Sequence, residues 1–245
     1  VAVMQPYFVP YLGYFQLIAA VGTFVIYDNV QYIMRGWINR NRVLHQGRPQ
    51  YISIPLAKAS QNRRICDLAI SPTGHWQKKI LRTVRSAYGR APHFNDAFPL
   101  FEAIVGQSQC DLVGFLEHSL VLLCAALGIT TRLVRASMLP ATDHLRGAER
   151  ILAICRHLQA TDYLNPVGGR DLYASTDFDR DGIRLRFLSS IPPEYRQHEG
   201  PYVPSLSIID VLMFNGIPQT RQWLSCCQLL PAETMELPAG DRTAA

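Results

Sequence analysis

The chain opens with two short apolar runs, each cut off by polar residues. Residues 1–4 give way to Gln5-Pro6, and residues 24–27 end at Asp28. Such runs are too short for a buried helix and suit fully buried strands. Between them Pro10 and Gly13 shape a loop, residues 14–20 suit a helix, and Gly22 falls near its end. Strand, compact loop, helix, strand is how a parallel α/β sheet begins. Ligands of such sheets sit beyond the carboxyl ends of the strands, where Gln5 and Asp28 fall.

Later segments extend this pattern. Residues 43–44 and 51–56 read as a hairpin and strand around the turn Gln46-Gly47-Arg48-Pro49. Residues 76–88, 98–105 and 112–127 have helical spacing; the last is apolar on most faces and stops at Gly128. Residues 131–134 resemble another strand, and Leu145, Ala148, Leu152, Cys155 and Leu158 form one helical stripe. Residues 162–166 return to a strand end, 183–188 alternate as a strand, and 207–214 suit a helix capped by Ser205 or Ser207. Trp223 and Cys226-Cys227 look like core or helix material.

The expectation is a three-layer, Rossmann-like, mostly parallel α/β sheet with helical additions. One domain would span residues 1–230, with room for a helical insertion at about 71–128, and 231–245 would be a loose tail. Hydrophobic residues at 48% and charged residues at 18% argue against disorder. No apolar stretch approaches the length needed to cross a bilayer. No basic leader precedes the first strand, and six cysteines lie mostly among apolar neighbours without a CxxC pair. A cytoplasmic location follows as the expectation.

Several polar clusters break the apolar runs. Gln5, Tyr7, Tyr11, Tyr14, Asp28, Gln31, Tyr32, Arg35, Asn39, Arg40 and Arg42 follow the first two strands. Tyrosines stack on a sugar or base, arginine forks hold phosphate, and a helix starting near Tyr11 turns free N–H groups toward an anion. The competing reading is a shaped loop whose polar groups satisfy local carbonyls. Gly168-Gly169 after Asn165-Pro166 allows close backbone approach to a phosphate, or is merely a turn. Asp28 and Asp210 are candidate proton handlers, and His198 a candidate acid or base; capping and surface hydrogen bonds are their structural alternatives. There is no GxGxxG, no GxxxxGK[ST], no GxSxG and no HExxH, so no metal set is assigned and no cofactor follows. Arg63-Arg64 and the early arginines suggest nucleic acid superficially, yet a net charge of +5 is small for a protein dominated by phosphate-backbone contacts.

Met4-Gln5-Pro6-Tyr7-Phe8-Val9-Pro10-Tyr11-Leu12-Gly13-Tyr14-Phe15 resembles the opening signature of the WbqC-like protein family. The resemblance continues through Val25-Ile26-Tyr27-Asp28-Asn29-Val30-Gln31-Tyr32, through Arg35-Gly36-Trp37-Ile38-Asn39-Arg40-Asn41-Arg42 and through Tyr163-Leu164-Asn165-Pro166-Val167-Gly168-Gly169. It ends in Pro204-Ser205-Leu206-Ser207-Ile208-Ile209-Asp210-Val211-Leu212-Met213-Phe214-Asn215-Gly216. It implies an enzyme of bacterial surface-polysaccharide and O-antigen biosynthesis, a transferase modifying a nucleotide-linked amino sugar by acyl or aminoacyl transfer. The alternatives are a nucleotidyltransferase or a non-catalytic nucleotide-sugar-binding scaffold. A distant likeness to nucleotidylyltransferases of the HIGH superfamily agrees with a Rossmann-like fold. Pro10-Tyr11-Leu12-Gly13-Tyr14 stands where that superfamily has paired histidines, which weakens the case for adenylyl transfer. Placed on these motifs, Asp28, His198 and Asp210 are the expected catalytic groups. Gln5, Tyr7, Tyr11, Gln31, Arg35, Asn39, Arg40, Arg42, Asn165, Gly168, Gly169 and Asn215 are the expected contacts to a small anionic nucleotide-linked sugar.

Overall fold

A computed structural model describes residues 1–72, 75–140, 142–198 and 200–232. The chain is an α/β fold built on several small sheets. Strand β1 (Ala2–Met4) leads through helix α1 (Leu12–Ala19) to β2 (Thr23–Ile26). Two ladders then form locally: β3 (Arg40–His45) with β4 (Arg48–Ser53), and β5 (Leu56–Ala57) with β6 (Ala69–Ile70). Three helices follow, α2 (Trp76–Tyr88), α3 (Phe94–Gly106) and α4 (Leu112–Leu127), before β7 (Arg132–Arg135). The last third holds α5 (Gly147–His157), β8 (Asp162–Pro166), α6 (Ser175–Asp179), β9 (Arg184–Ser190), α7 (Ile208–Gln222) and β10 (Cys227–Pro231).

The Rossmann-like, mostly parallel sheet expected from the sequence is not what forms. Strands β1, β2 and β7 pair in parallel in that order, and β8 pairs in parallel with β9. The pairings β9–β10, β3–β4 and β5–β6 are antiparallel, so half of the strand pairings among the described residues run the other way. These ladders make four separate sheets, none of them a closed doubly wound sheet. The cause is connection length. The two residues between β3 and β4 permit only an antiparallel return, whereas parallel neighbours need a crossover. Of the Cys226-Cys227 pair, expected in core or helix, Cys227 instead begins the antiparallel edge strand β10, whose last residue is Pro231. Of the expected tail, residues 233–245 lie outside the described residues.

Alternation along the parallel strands explains the core. Ala2, Phe24 and Ile26 pack into one apolar cluster with α1, α3, α4 and α7. Val3 and Val25, on the opposite pleat, pack with Ile151, Cys155, Tyr163 and Phe187 in a second. The N–H of Leu164 donates to the Val1 carbonyl at 2.8 Å, laying β8 beside β1. Helix α4 starts where the Asp111 carboxylate accepts the Gly114 N–H at 2.6 Å and ends at Gly128, φ 70°.

Helix α7 starts at Ser207, whose Oγ accepts the Ile209 N–H, but runs past the expected end at Phe214. Its path breaks at Gly216, φ 70° and ψ 172°, a region essentially closed to other residues. A Cβ there would also stand 2.8 Å from His93 Nδ1. The break leaves Phe214 and Asn215 at the end of a turn facing a cleft. Gly216→Ala is therefore expected to destabilise the protein by about 1–3 kcal/mol, the scale of a strained backbone. Urea unfolding followed by circular dichroism measures this, and an unchanged midpoint would contradict it.

Candidate functional site

The carboxyl ends of β1 and β2 open into a cleft of about 470 Å³. Gln5 leaves β1 into it, and Tyr27, Asn29 and Gln31 follow β2. Residues 62–65 form another wall because they are laced to residues 30–32. Tyr32 N–H donates to the Arg63 carbonyl at 2.9 Å, and Ile65 N–H to the Val30 carbonyl at 2.9 Å. The remaining wall is Asp143 to Arg150, where α5 begins.

Three arginines and one carboxylate line this cleft. Arg150 is 4% exposed, lies 5.2 Å over the Tyr27 ring and donates to Asp143 at 2.6 Å. Arg64 reaches the other oxygen of Asp143 at 3.3 Å and is also paired with Asp67 at 2.9 Å. Asn29 Nδ2 donates to Asp143 at 3.1 Å, while the buried Asn29 Oδ1 has no hydrogen-bond partner. Arg146 is exposed, and its side chain makes no hydrogen bond or ion pair among the described residues. With Asp143 already committed to two guanidinium groups, the cleft keeps an excess of positive charge. Burial raises the Tyr27 hydroxyl above its ordinary range, partly opposed by Arg150, so it remains a donor at neutral pH. Such a set suits a small anion flanked by hydrogen-bonding groups.

Asp28 is wholly buried beside this cleft. One oxygen accepts the Ser137 N–H at 2.8 Å and the other the Ser137 hydroxyl at 2.5 Å. Its backbone carbonyl accepts the Cys66 N–H at 2.8 Å. The carboxylate therefore ties the end of β2 to the turn after β7. Cys66, next in line, has its thiol pushed up to about 11 by burial and by Asp67, and so stays protonated.

The other expected contacts are dispersed. Gln5 and Gln31 line the cleft just described. Arg40 lies 4.4 Å over Tyr51, and Arg42 lies 5.3 Å over Trp37 while donating to the Ser205 carbonyl at 3.4 Å. Arg35 takes a positive φ of 60° and accepts from Arg40 through its carbonyl. Asn39 is held between the Tyr32 hydroxyl at 2.7 Å and the Ile54 carbonyl at 2.8 Å. Tyr7 packs against Tyr14, and the Tyr11 ring packs against Gly13. Asn165 follows the buried Tyr163 hydroxyl on β8, and its amide lies so close to Gly169 that a Cβ there would collide with it. At Gly168 a Cβ would meet nothing. None of Arg35, Arg40, Arg42, Asn165, Gly168 and Gly169 lines a described cavity. His198 and Asn215 line a different, larger cleft, with Asp210 buried nearby and held by Tyr88 at 2.7 Å, Tyr195 at 2.6 Å and Gln197 at 2.9 Å.

Sequence reasoning missed Asn62, Arg64, Asp143, Arg146 and Arg150. Arg64 was visible only as half of a basic pair. Arg146 and Arg150 stand four apart across a helix start, a spacing that puts both on one side. The apolar stripe of the same helix masked them.

The site defines an α/β protein with a basic, amide-lined cleft at the ends of two parallel strands. The chain belongs to the WbqC-like protein family, whose profile matches residues 5–222. It is 31% identical over 231 residues to the "Uncharacterized protein Rv1507c" of Mycobacterium tuberculosis (strain ATCC 25618 / H37Rv), covering 93% of this chain and 98% of that protein. No solved structure matches. Among the described residues no helix is long and apolar enough to cross a membrane.

Removing the Ser137 hydroxyl leaves one oxygen of a buried carboxylate without its donor. Ser137→Ala is expected to cost about 1.5–3 kcal/mol, the range for a hydrogen bond to a charged group. Denaturant titration reads the loss; a change below that range would show that water replaces the hydroxyl.

Proposed function

We propose that this chain is a transferase acting on a nucleotide-linked amino sugar, whose phosphates bind in the cleft at the ends of β1 and β2. The observation that carries the reading is the meeting of Arg64, Arg146 and Arg150 there, three cations against Asp143 in the lining and Asp67 behind Arg64. Membership in the WbqC-like family supports it, since that family is linked to bacterial sugar and polysaccharide biosynthesis. Arg146 contributes an uncommitted guanidinium, Arg64 a half-exposed one, and Arg150 a buried charge behind both. Gln5, Gln31, Asn62 and the Tyr27 hydroxyl offer hydrogen bonds to ribose or sugar hydroxyls. In this reading Asp28 is a positioning residue that holds the floor of the cleft, and acyl or aminoacyl transfer to the sugar amine is the reaction.

Native mass spectrometry of gently purified protein, followed by titration with the recovered nucleotide-sugar class, tests this. Arg146→Ala is expected to weaken binding by about tenfold or more while the fold is kept, as befits loss of a charge-assisted contact. Product from an acyl donor and an amino-sugar nucleotide supports the transferase. Tight binding without product from any donor would leave a sugar-nucleotide-binding protein, and binding untouched by Arg146→Ala would move the site elsewhere.

A further inference from the structure

A cleft larger than the one at the strand ends lies elsewhere on the protein. It has a volume of about 1150 Å³ and lies between the β3–β4 turn, the carboxyl end of α2, residues 196–198 and the break in α7. Its lining includes Arg85, Arg90, Arg196, His45 and His198, and among the described residues no carboxylate. The carboxyl end of α2 accounts for some attraction of cations. It does not account for Arg196, which arrives from a separate segment.

The commitments of these groups differ. Arg85 is spent on aromatic faces, 4.5 Å from the Phe98 ring centre. His45 Nε2 lies 3.2 Å from Ser86 Oγ. Arg90 and Arg196 are exposed and make no ion pair or hydrogen bond among the described residues. His198 is fixed by a positive φ of 32° and by Nε2 at 2.8 Å from the Ala87 carbonyl, which can only accept. That bond places the proton on Nε2 and leaves Nδ1 an acceptor in the neutral ring. Phe214 meets the His198 ring edge-on at 4.8 Å and adds an apolar wall. Arg90 and Arg196 carry like charge on one concavity and have no ion pair among the described residues, so they repel one another, and an anion seated between them removes that repulsion.

We infer that this cleft is a second binding site, separate from the strand-end cleft, for a small phosphate-bearing molecule. Arg90 and Arg196 grip the phosphate, and His198 Nδ1 and Asn215 face the uncharged part. The volume exceeds that of a lone phosphate and matches a ligand of nucleotide size.

Calorimetric titration of the full chain with inorganic pyrophosphate at fixed ionic strength tests it. The double variant Arg90→Ala/Arg196→Ala is expected to weaken one class of site by about tenfold or more. Arg146→Ala is expected to leave that class untouched. Both substituted arginines are exposed and unpaired among the described residues, and circular dichroism is the check that the fold survives. Pyrophosphate binding that responds only to Arg146→Ala would overturn the inference while sparing the strand-end site. Binding that responds only to the double variant would support it and count against the strand-end reading. Binding of a polyuridine oligomer with none of pyrophosphate would overturn it in favour of a nucleic-acid surface.

Discussion

The buried contact between Asp28 and Ser137 is the constraint around which the functional end of the fold is arranged. An isolated buried carboxylate is costly, and this one is stabilised by two donors from a single residue. Because the donors come from the turn after β7, the ends of neighbouring parallel strands are tied across more than a hundred residues of chain. The Cys66 N–H on the Asp28 carbonyl adds residues 62–67 to the same junction. The Asp28 side chain thus joins β2 to the turn after β7, and its backbone joins residues 62–67 to the same strand end. An aspartate at the end of a strand looks like a proton handler in sequence; here its carboxylate is buried and bonded to Ser137.

The two basic clefts are built on different physics. At the strand ends, arginine is partly neutralised by Asp143 and partly buried against Tyr27, so the charge is held in place. In the larger cleft, the Arg90 and Arg196 side chains have no hydrogen bond or ion pair among the described residues, whereas His198, Arg85 and His45 are anchored. The first resembles a finished binding surface and the second a ring of loose cations around a fixed imidazole. Neither offers a compact set of metal-binding side chains among the described residues.

How much was legible in the sequence depended on how local the cause was. Helix α4 could be read to its last residue because Asp111 and Gly128 mark both ends in the chain itself. The strands before Gln5 and Asp28 were legible as short buried runs, and Gln5 and Gln31 do reach a cleft. The parallel sheet was over-extended because strand direction is set by pairing partners that no local pattern displays. Strand β10 was hidden for the same reason: Cys226-Cys227 carries an apolar signal that helix and edge strand share. Arg40 and Arg42 looked like phosphate ligands, yet their guanidinium groups lie over the rings of Tyr51 and Trp37 and line neither basic cleft. Arg150 was invisible because the stripe of its helix drew the reading toward packing.

Asp143 has a consequence of its own. Its carboxylate is bonded to Arg64, Arg150 and Asn29 at once. The guanidinium groups are therefore preorganised before anything enters, which lowers the entropy lost on binding. On the proposed reading, a phosphate trades with this resident carboxylate and does not merely join it. Affinity would then be moderated in favour of exchange, a property better suited to turnover than to storage.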